Sequence, residues 1–225
     1  MTPRIPRNAL ALAMAATLLA AAPALSFAQA RPAAAPAAAN MQGSPSELVL
    51  ENTRRVLETL ESRRAEFSRD RAALQRFVSS EFDSMFDRDY AARQVLGRHA
   101  RGASDADVKA FGDALADNLM RRYGSSLIDF NTRLRVRIKS ETALPRDLGV
   151  KVSSELLRQG GEPIPVDYLM RRAGSGWRVF DVMVEGVSFV QTFRQQFDAE
   201  LQRKSIAQVT KELRSGQLTP TAGGN

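Results

Sequence analysis

Two spacings of apolar residues divide this chain. Up to about Leu127 they recur every third or fourth position, the period of helices with one buried stripe. Leu48, Val56, Leu57 and Leu60 form one stripe. Its start is marked by Ser44-Pro45-Ser46-Glu47, an N-cap serine, a proline in the first turn and a glutamate placed to close a capping box. A second helix carries Leu74, Phe77, Val78 and Phe82, with Met85 and Phe86 extending it. A short one runs from about Tyr90 to Leu96 and stops at Gly97. Ser104 with Asp107 opens a long fourth helix through Val108, Phe111, Leu115, Leu119, Tyr123 and Leu127.

After that the period becomes two. Leu134, Val136 and Ile138 alternate with Arg133, Arg135, Arg137 and Lys139, which predicts a half-exposed strand with cations outward. Val150, Val152, Ser154 and Leu156 predict a second strand, and Ile164, Val166, Tyr168 and Met170 a third. Gly160-Gly161 and Gly174-Ser175-Gly176 supply the turns between consecutive strands. From Trp177 to Val184 nearly every residue is aromatic or branched, so the fourth strand is expected to be covered on both faces. Glu185-Gly186 interrupts the run. Ser188 with Gln191 predicts a capped helix bearing Phe189, Val190, Phe193, Phe197 and Leu201 on one stripe. A last helix starts at Ser205 with Gln208 and carries Ile206, Val209 and Leu213. The fold class expected is α+β: helices, then a four-stranded antiparallel sheet, then two helices.

The ends of the chain read differently. Arg4 and Arg7, an apolar run from Ala9 to Ala22 and the small residues around Ala28 and Ala30 have the form of a cleaved signal peptide, residues 1–30. Residues 31–43 are alanine- and proline-rich, expected as a disordered leader, and 216–225 as a disordered polar tail. One domain, 44–215, lies between. It is long enough to bury a core without disulfides, and the chain has no cysteine.

The net charge of +7 falls to +5 once residues 1–30 are removed. The basic residues are scattered among acids, which argues for a solvated surface, with attraction to anionic headgroups at a membrane surface as the other reading, and against nucleic acid as a partner. A catalytic constellation is missing. The sole histidine, His99, sits between arginines in a segment expected to be a solvated loop. The glycine pairs occupy turn positions and form no phosphate cradle. Asp181 is the one acid set among apolar neighbours on the fourth strand, expected as a hydrogen-bonded structural group, with a general base as the other reading. Neither a cofactor nor a metal site is expected.

WRVFDVMVEGVSFVQTFRQQF, Trp177 to Phe197, resembles the signature of the MlaC (toluene-tolerance) family of periplasmic phospholipid-binding proteins. Phe82-Asp83, Val95-Leu96-Gly97, the Phe111–Leu119–Tyr123 helix and Pro163 to Tyr168 agree with it. The resemblance implies a fold like nuclear transport factor 2, a curved four-stranded sheet wrapped by helices with an apolar pocket between them. It implies a monomeric periplasmic shuttle, not an enzyme, whose cargo is a diacyl phospholipid. The implied partners are an inner-membrane ABC transporter with an MCE-domain subunit and an outer-membrane lipoprotein–porin complex. Such a carrier must hide two acyl chains, since exposing about thirty methylenes to water costs on the order of 20–25 kcal/mol. The residues expected to line its pocket are Val136, Ile138, Val152, Tyr168, Met170, Val182, Val184, Phe189, Val190 and Phe193. An arginine or lysine at its mouth would meet the lipid phosphate. A small enzyme using Asp181, or an interaction module with a filled core, are the alternatives.

Overall fold

The computed structural model describes residues 43–123 and 134–221. The signal and leader through residue 42, Leu127, Arg133 and residues 222–225 lie outside the described residues. Helices α1 (Pro45–Ser62), α2 (Arg64–Arg69), α3 (Arg71–Met85), α4 (Arg88–Leu96) and α5 (Asp105–Tyr123) come first. Strands β1 (Arg135–Ala143), β2 (Val150–Leu157), β3 (Ile164–Ala173), β4 (Gly176–Val184) and β5 (Val187–Ser188) follow, then α6 (Phe189–Leu201) and α7 (Ile206–Ser215). The α+β class is as expected.

The sheet is an open antiparallel meander in the order β1-β2-β3-β4-β5, five strands where the apolar pattern predicts four. The fifth is two residues long, pairing Ser188 with Met183 and Val187 with Val184. It exists because Glu185 (φ +50) and Gly186 (φ +81) both take left-handed conformations, which folds the chain back on itself in a tight hairpin. A two-residue strand has no periodicity to read.

The caps at Ser44 and Ser205 form as their spacing predicts. Ser44 Oγ accepts the Glu47 N–H at 3.3 Å while Glu47 accepts the Ser44 N–H at 2.9 Å. Ser205 and Gln208 do the same. At Ser188 only half the box is present: its oxygen accepts the Gln191 N–H at 3.0 Å, and the same hydroxyl donates to Asp181. Gly97 (φ +56) ends α4 as predicted. Helix α2 escapes the sequence reading. It buries Phe67 against Phe77, rings 4.9 Å apart, with the Arg63 guanidinium above both.

One face of the sheet carries Val152, Leu156, Val166, Tyr168, Met170, Val179 and Val184, all buried with Leu48 and Val49 in one core. Helix α1 packs across β1 and β2, α5 against α4 and α7, and α4 against α6. The other face of β4 is less covered than its apolar run implies. Phe180 and Met183 are half-buried there. Phe180 meets the edge of Tyr90 at 5.3 Å, and the Arg171 guanidinium lies 4.3 Å over that tyrosine ring. Single arginine and tyrosine side chains replace the second layer. Residues 216–221, read as tail, are tied to the domain: Leu218 donates to the Glu212 carbonyl and Thr221 to Gln196, and Pro220 is buried.

Candidate functional site

Strand β4 is paired with β3 along its length, but its other edge is covered only at two ends. Near Val179 the chain between α3 and α4 bridges to it, Asp87 N–H donating to the Val179 carbonyl at 2.8 Å. Near Met183 and Val184, β5 takes over. Residues 180–182 face a gap between these two. A bulge sits in that gap: Met170 pairs with Val179 and Leu169 with Asp181, so Phe180 is the extra residue.

The gap opens on an apolar cavity. Phe180, Asp181 and Val182 form the β4 wall, and Phe189, Val190 and Phe193 of α6 the side next to it. Opposite stand Phe82 and Phe86 from α3 and its end, Ala91, Ala92 and Val95 from α4, and Leu115, Ala116, Leu119, Met120 and Tyr123 from α5. Consecutive residues Asp181 and Val182 both reach it because it lies off the strand's edge and not on one face. A water-sized sphere can move its centre through about 110 Å³ of it. Small side chains set its width: a Cβ on Gly112 would stand 3.1 Å from the Ala92 Cβ, so α4 and α5 are already at closest approach.

Asp181 and Arg88 are among the polar groups that bound the cavity, with Ser79 and Asp117. Asp181 is 5% exposed. One carboxylate oxygen accepts the Ser188 hydroxyl at 2.5 Å and the other the Val190 N–H at 3.0 Å. Burial pushes its carboxyl above the ordinary aspartate value, against the pull of those donors. It fastens the bulge to the first turn of α6 and so holds Phe189, Val190 and Phe193 in place. Arg88 is at the other side. It bonds Asp113 at 2.6 Å, pairs with Asp83, and lies 5.1 Å over the Phe82 ring.

Of the ten residues expected to line a pocket, the structure brings Val182, Phe189, Val190 and Phe193 to this cavity. Val152, Tyr168, Met170 and Val184 are fully buried in the core, and Val136 and Ile138 pack against it. Tyr168 shows why. Its hydroxyl lies 3.3 Å from Thr53 Oγ1, so α1 fills the sheet face where an inner pocket would have been. The walls contributed by α3, α4 and α5 were missed. Their stripes read as ordinary core, and the one hint was the run of small residues Ala91, Ala92, Gly112 and Ala116 on neighbouring helices.

His99 differs from the solvated loop residue expected. It sits in a short 3₁₀ turn, Gly97–Ala100, that folds back on α6, and its Nε2 is 2.9 Å from Asp198 Oδ1. That contact, with Arg98 at 3.0 Å, holds the Asp198 carboxyl below its usual range. Among the described residues no group of three or more His, Cys, Asp or Glu is placed to hold a metal ion. No helix of the described residues is long and apolar enough to cross a membrane.

Fold and site together define an α+β protein with an apolar cavity opening beside a sheet edge. The model of one family, MlaC protein, matches residues 50–215, and the chain belongs to that family. The toluene tolerance protein ttg2D of Pseudomonas putida is 24% identical over 163 residues, covering 71% of this chain and 74% of that protein. A solved phospholipid-binding protein from Ralstonia solanacearum, in complex with a phospholipid, shares the fold with a TM-score of 0.55. It is 24% identical, and the match covers 72% of this chain and 95% of that one.

Proposed function

We propose that this protein is a periplasmic phospholipid carrier, a non-enzymatic shuttle that holds acyl chains in the cavity off β4 and leaves the headgroup outside. The observation that carries the reading is the cavity itself: an open space walled by Phe82, Phe86, Leu119, Phe189 and Phe193 in a chain of the MlaC family. The phospholipid complex of the Ralstonia protein, which has the same fold, supports it. Moving an acyl chain from a bilayer to such walls exchanges one apolar medium for another, so transfer is near balance and a partner need only bias it. The charged headgroup stays where water solvates it.

At its present width the space is below the ~300–1,000 Å³ typical of ligand pockets. Loading two chains therefore requires the walls of the cavity to part. Residues 1–30 act as the export signal, 31–43 as a leader, and 44–215 as the lipid-binding domain. The partners are an inner-membrane ABC transporter with an MCE-domain subunit and an outer-membrane lipoprotein–porin complex, and the carrier works as a monomer.

Asp181 borders the cavity, yet both its oxygens are engaged by Ser188 and Val190. That is the position of a structural acceptor, so the enzyme alternative gains no support from it. Mass spectrometry of organic extracts from protein purified out of the periplasm tests the reading. Stoichiometric diacyl phospholipid is expected, and repeated lipid-free preparations would overturn it.

A further inference from the structure

The cavity is not equally enclosed on all sides. Ala92 and Val95 of α4, Val182 of β4, and Phe189 and Phe193 of α6 line it and are at most 5% exposed. Ser79 and Phe82 of α3 and Ala116, Leu119 and Met120 of α5 line it and are half-buried, and Asp117 beside them is exposed. Solvent therefore reaches the lining along the seam between α3 and α5. Ala91, Phe180 and Val190 are half-buried as well, but the elements that carry them are bonded to one another.

Polar bonds join those other walls. Asp181 holds β4 to the first turn of α6, and the Asp87 N–H holds the start of α4 to β4. Arg194 of α6 donates to the Gln94 carbonyl of α4 at 2.6 Å and to its Oε1 at 3.2 Å. Asp198 of α6 meets Arg98 and His99, just past α4, at 3.0 and 2.9 Å. Arg88 pins α4 to both of its neighbours, through Asp83 of α3 and Asp113 of α5. Away from that pin, α3 presents Ser79 and Phe82 and α5 presents Ala116, Leu119 and Met120. Four of these five are apolar, and among the described residues the Ser79 hydroxyl forms no hydrogen bond.

Resting on the carrier reading, we infer that the seam between α3 and α5 is the portal through which acyl chains enter and leave, with Arg88 as its fixed end. Parting the other walls breaks ion pairs and hydrogen bonds that a hydrocarbon chain cannot replace. Parting this seam breaks apolar contacts, and an arriving acyl chain remakes them. Met120 shows the exchange: it packs against the small cluster of α1, α2 and α3 that holds Phe77 and Val78, and it lines the cavity as well. Lipid slipping between the two helices takes over one apolar neighbour and meets another.

The chain has no cysteine, so two introduced thiols can be bridged selectively. Ser79→Cys with Asp117→Cys places them on either side of the seam, and Gln94→Cys with Arg194→Cys places them between α4 and α6. The mature proteins are stripped of lipid and bridged with a short bismaleimide that contains a reducible disulfide. They are then incubated with vesicles of phosphatidylethanolamine and phosphatidylglycerol, reisolated, and their lipid is quantified over time. Bridging α3 to α5 should slow uptake by about ten-fold or more, and cleaving the linker should restore it. Bridging α4 to α6 should leave uptake unchanged. Undiminished uptake with α3 bridged to α5, or an equal loss with α4 bridged to α6, would overturn the portal and leave the carrier reading standing, because lipid still enters the unbridged parent. A parent protein that takes up no lipid would overturn both.

Discussion

Placing one tryptophan in the cavity and another in the core separates vacant space from filled space. Ala116 borders the cavity from α5, whereas Val184 is fully buried beneath the core. In Ala116→Trp the indole enters the cavity and covers on the order of 100 Å² more apolar surface than the methyl, worth about 2–3 kcal/mol at ~25 cal/mol per Å². Fixing the side chain and widening the cavity to fit it take back about 1–3 kcal/mol. The net is close to zero, so Tm should stay within ~4 °C of the parent. Lipid recovered by organic extraction should fall to a small fraction of the parent's. Val184→Trp has no space to use. Overpacking costs about 1–3 kcal/mol, so Tm should drop by roughly 4–10 °C, while the protein that remains folded still carries lipid. The assay is a thermal melt paired with lipid quantification on the same sample. Normal loading of Ala116→Trp would show that lipid sits elsewhere. A Val184→Trp protein as stable as the parent would show that the sheet face under α1 holds room this structure does not have.

Three further outcomes follow from single contacts. Arg55→Ala leaves Glu81, 2% exposed, without its ion-pair partner, and should cost about 2 kcal/mol in urea unfolding at neutral pH. Burial already raises the Glu81 carboxyl, and losing Arg55 raises it further, so this loss should shrink as pH falls from neutral and be largely gone by about 4.3; a pH-independent loss would refute it. Gly149→Ala should cost about 3 kcal/mol or more by the same measurement: Gly149 sits at φ +134 and an added Cβ would stand 1.9 Å from the Met170 carbonyl oxygen. A loss under about 0.5 kcal/mol would contradict that contact. For Asp181 the folded carboxyl is raised, so the native state binds a proton more readily than the unfolded chain, and its contribution to stability declines as pH rises past about 3.9. Asp181→Asn keeps the acceptor for the Val190 N–H without the buried charge. Its stability relative to the parent should therefore improve as pH rises through that window, and a flat difference between pH 3 and 7 would refute the assignment.

Local order of the chain was readable before any coordinates. The helix starts at Ser44 and Ser205, the stop at Gly97, the order of strands β1 to β4 and the stripe Phe189–Phe193–Phe197 all depend on neighbours within a few residues, where spacing and cap chemistry act directly. The motif from Trp177 to Phe197 likewise pointed to the MlaC family, which the match over residues 50–215 bears out. Tertiary structure decided where the empty space lies. Val184 and Val182 sit two residues apart on one strand and both are buried in the core, yet only Val182 also borders the cavity. The difference comes from α1, whose Leu48, Val49 and Thr53 fill the sheet face, and from an edge gap between Asp87 and β5 that only distant segments create. A pattern of apolar positions records which side chains leave water. It carries no record of whether protein or vacancy meets them on the other side, because that depends on elements far away in the chain.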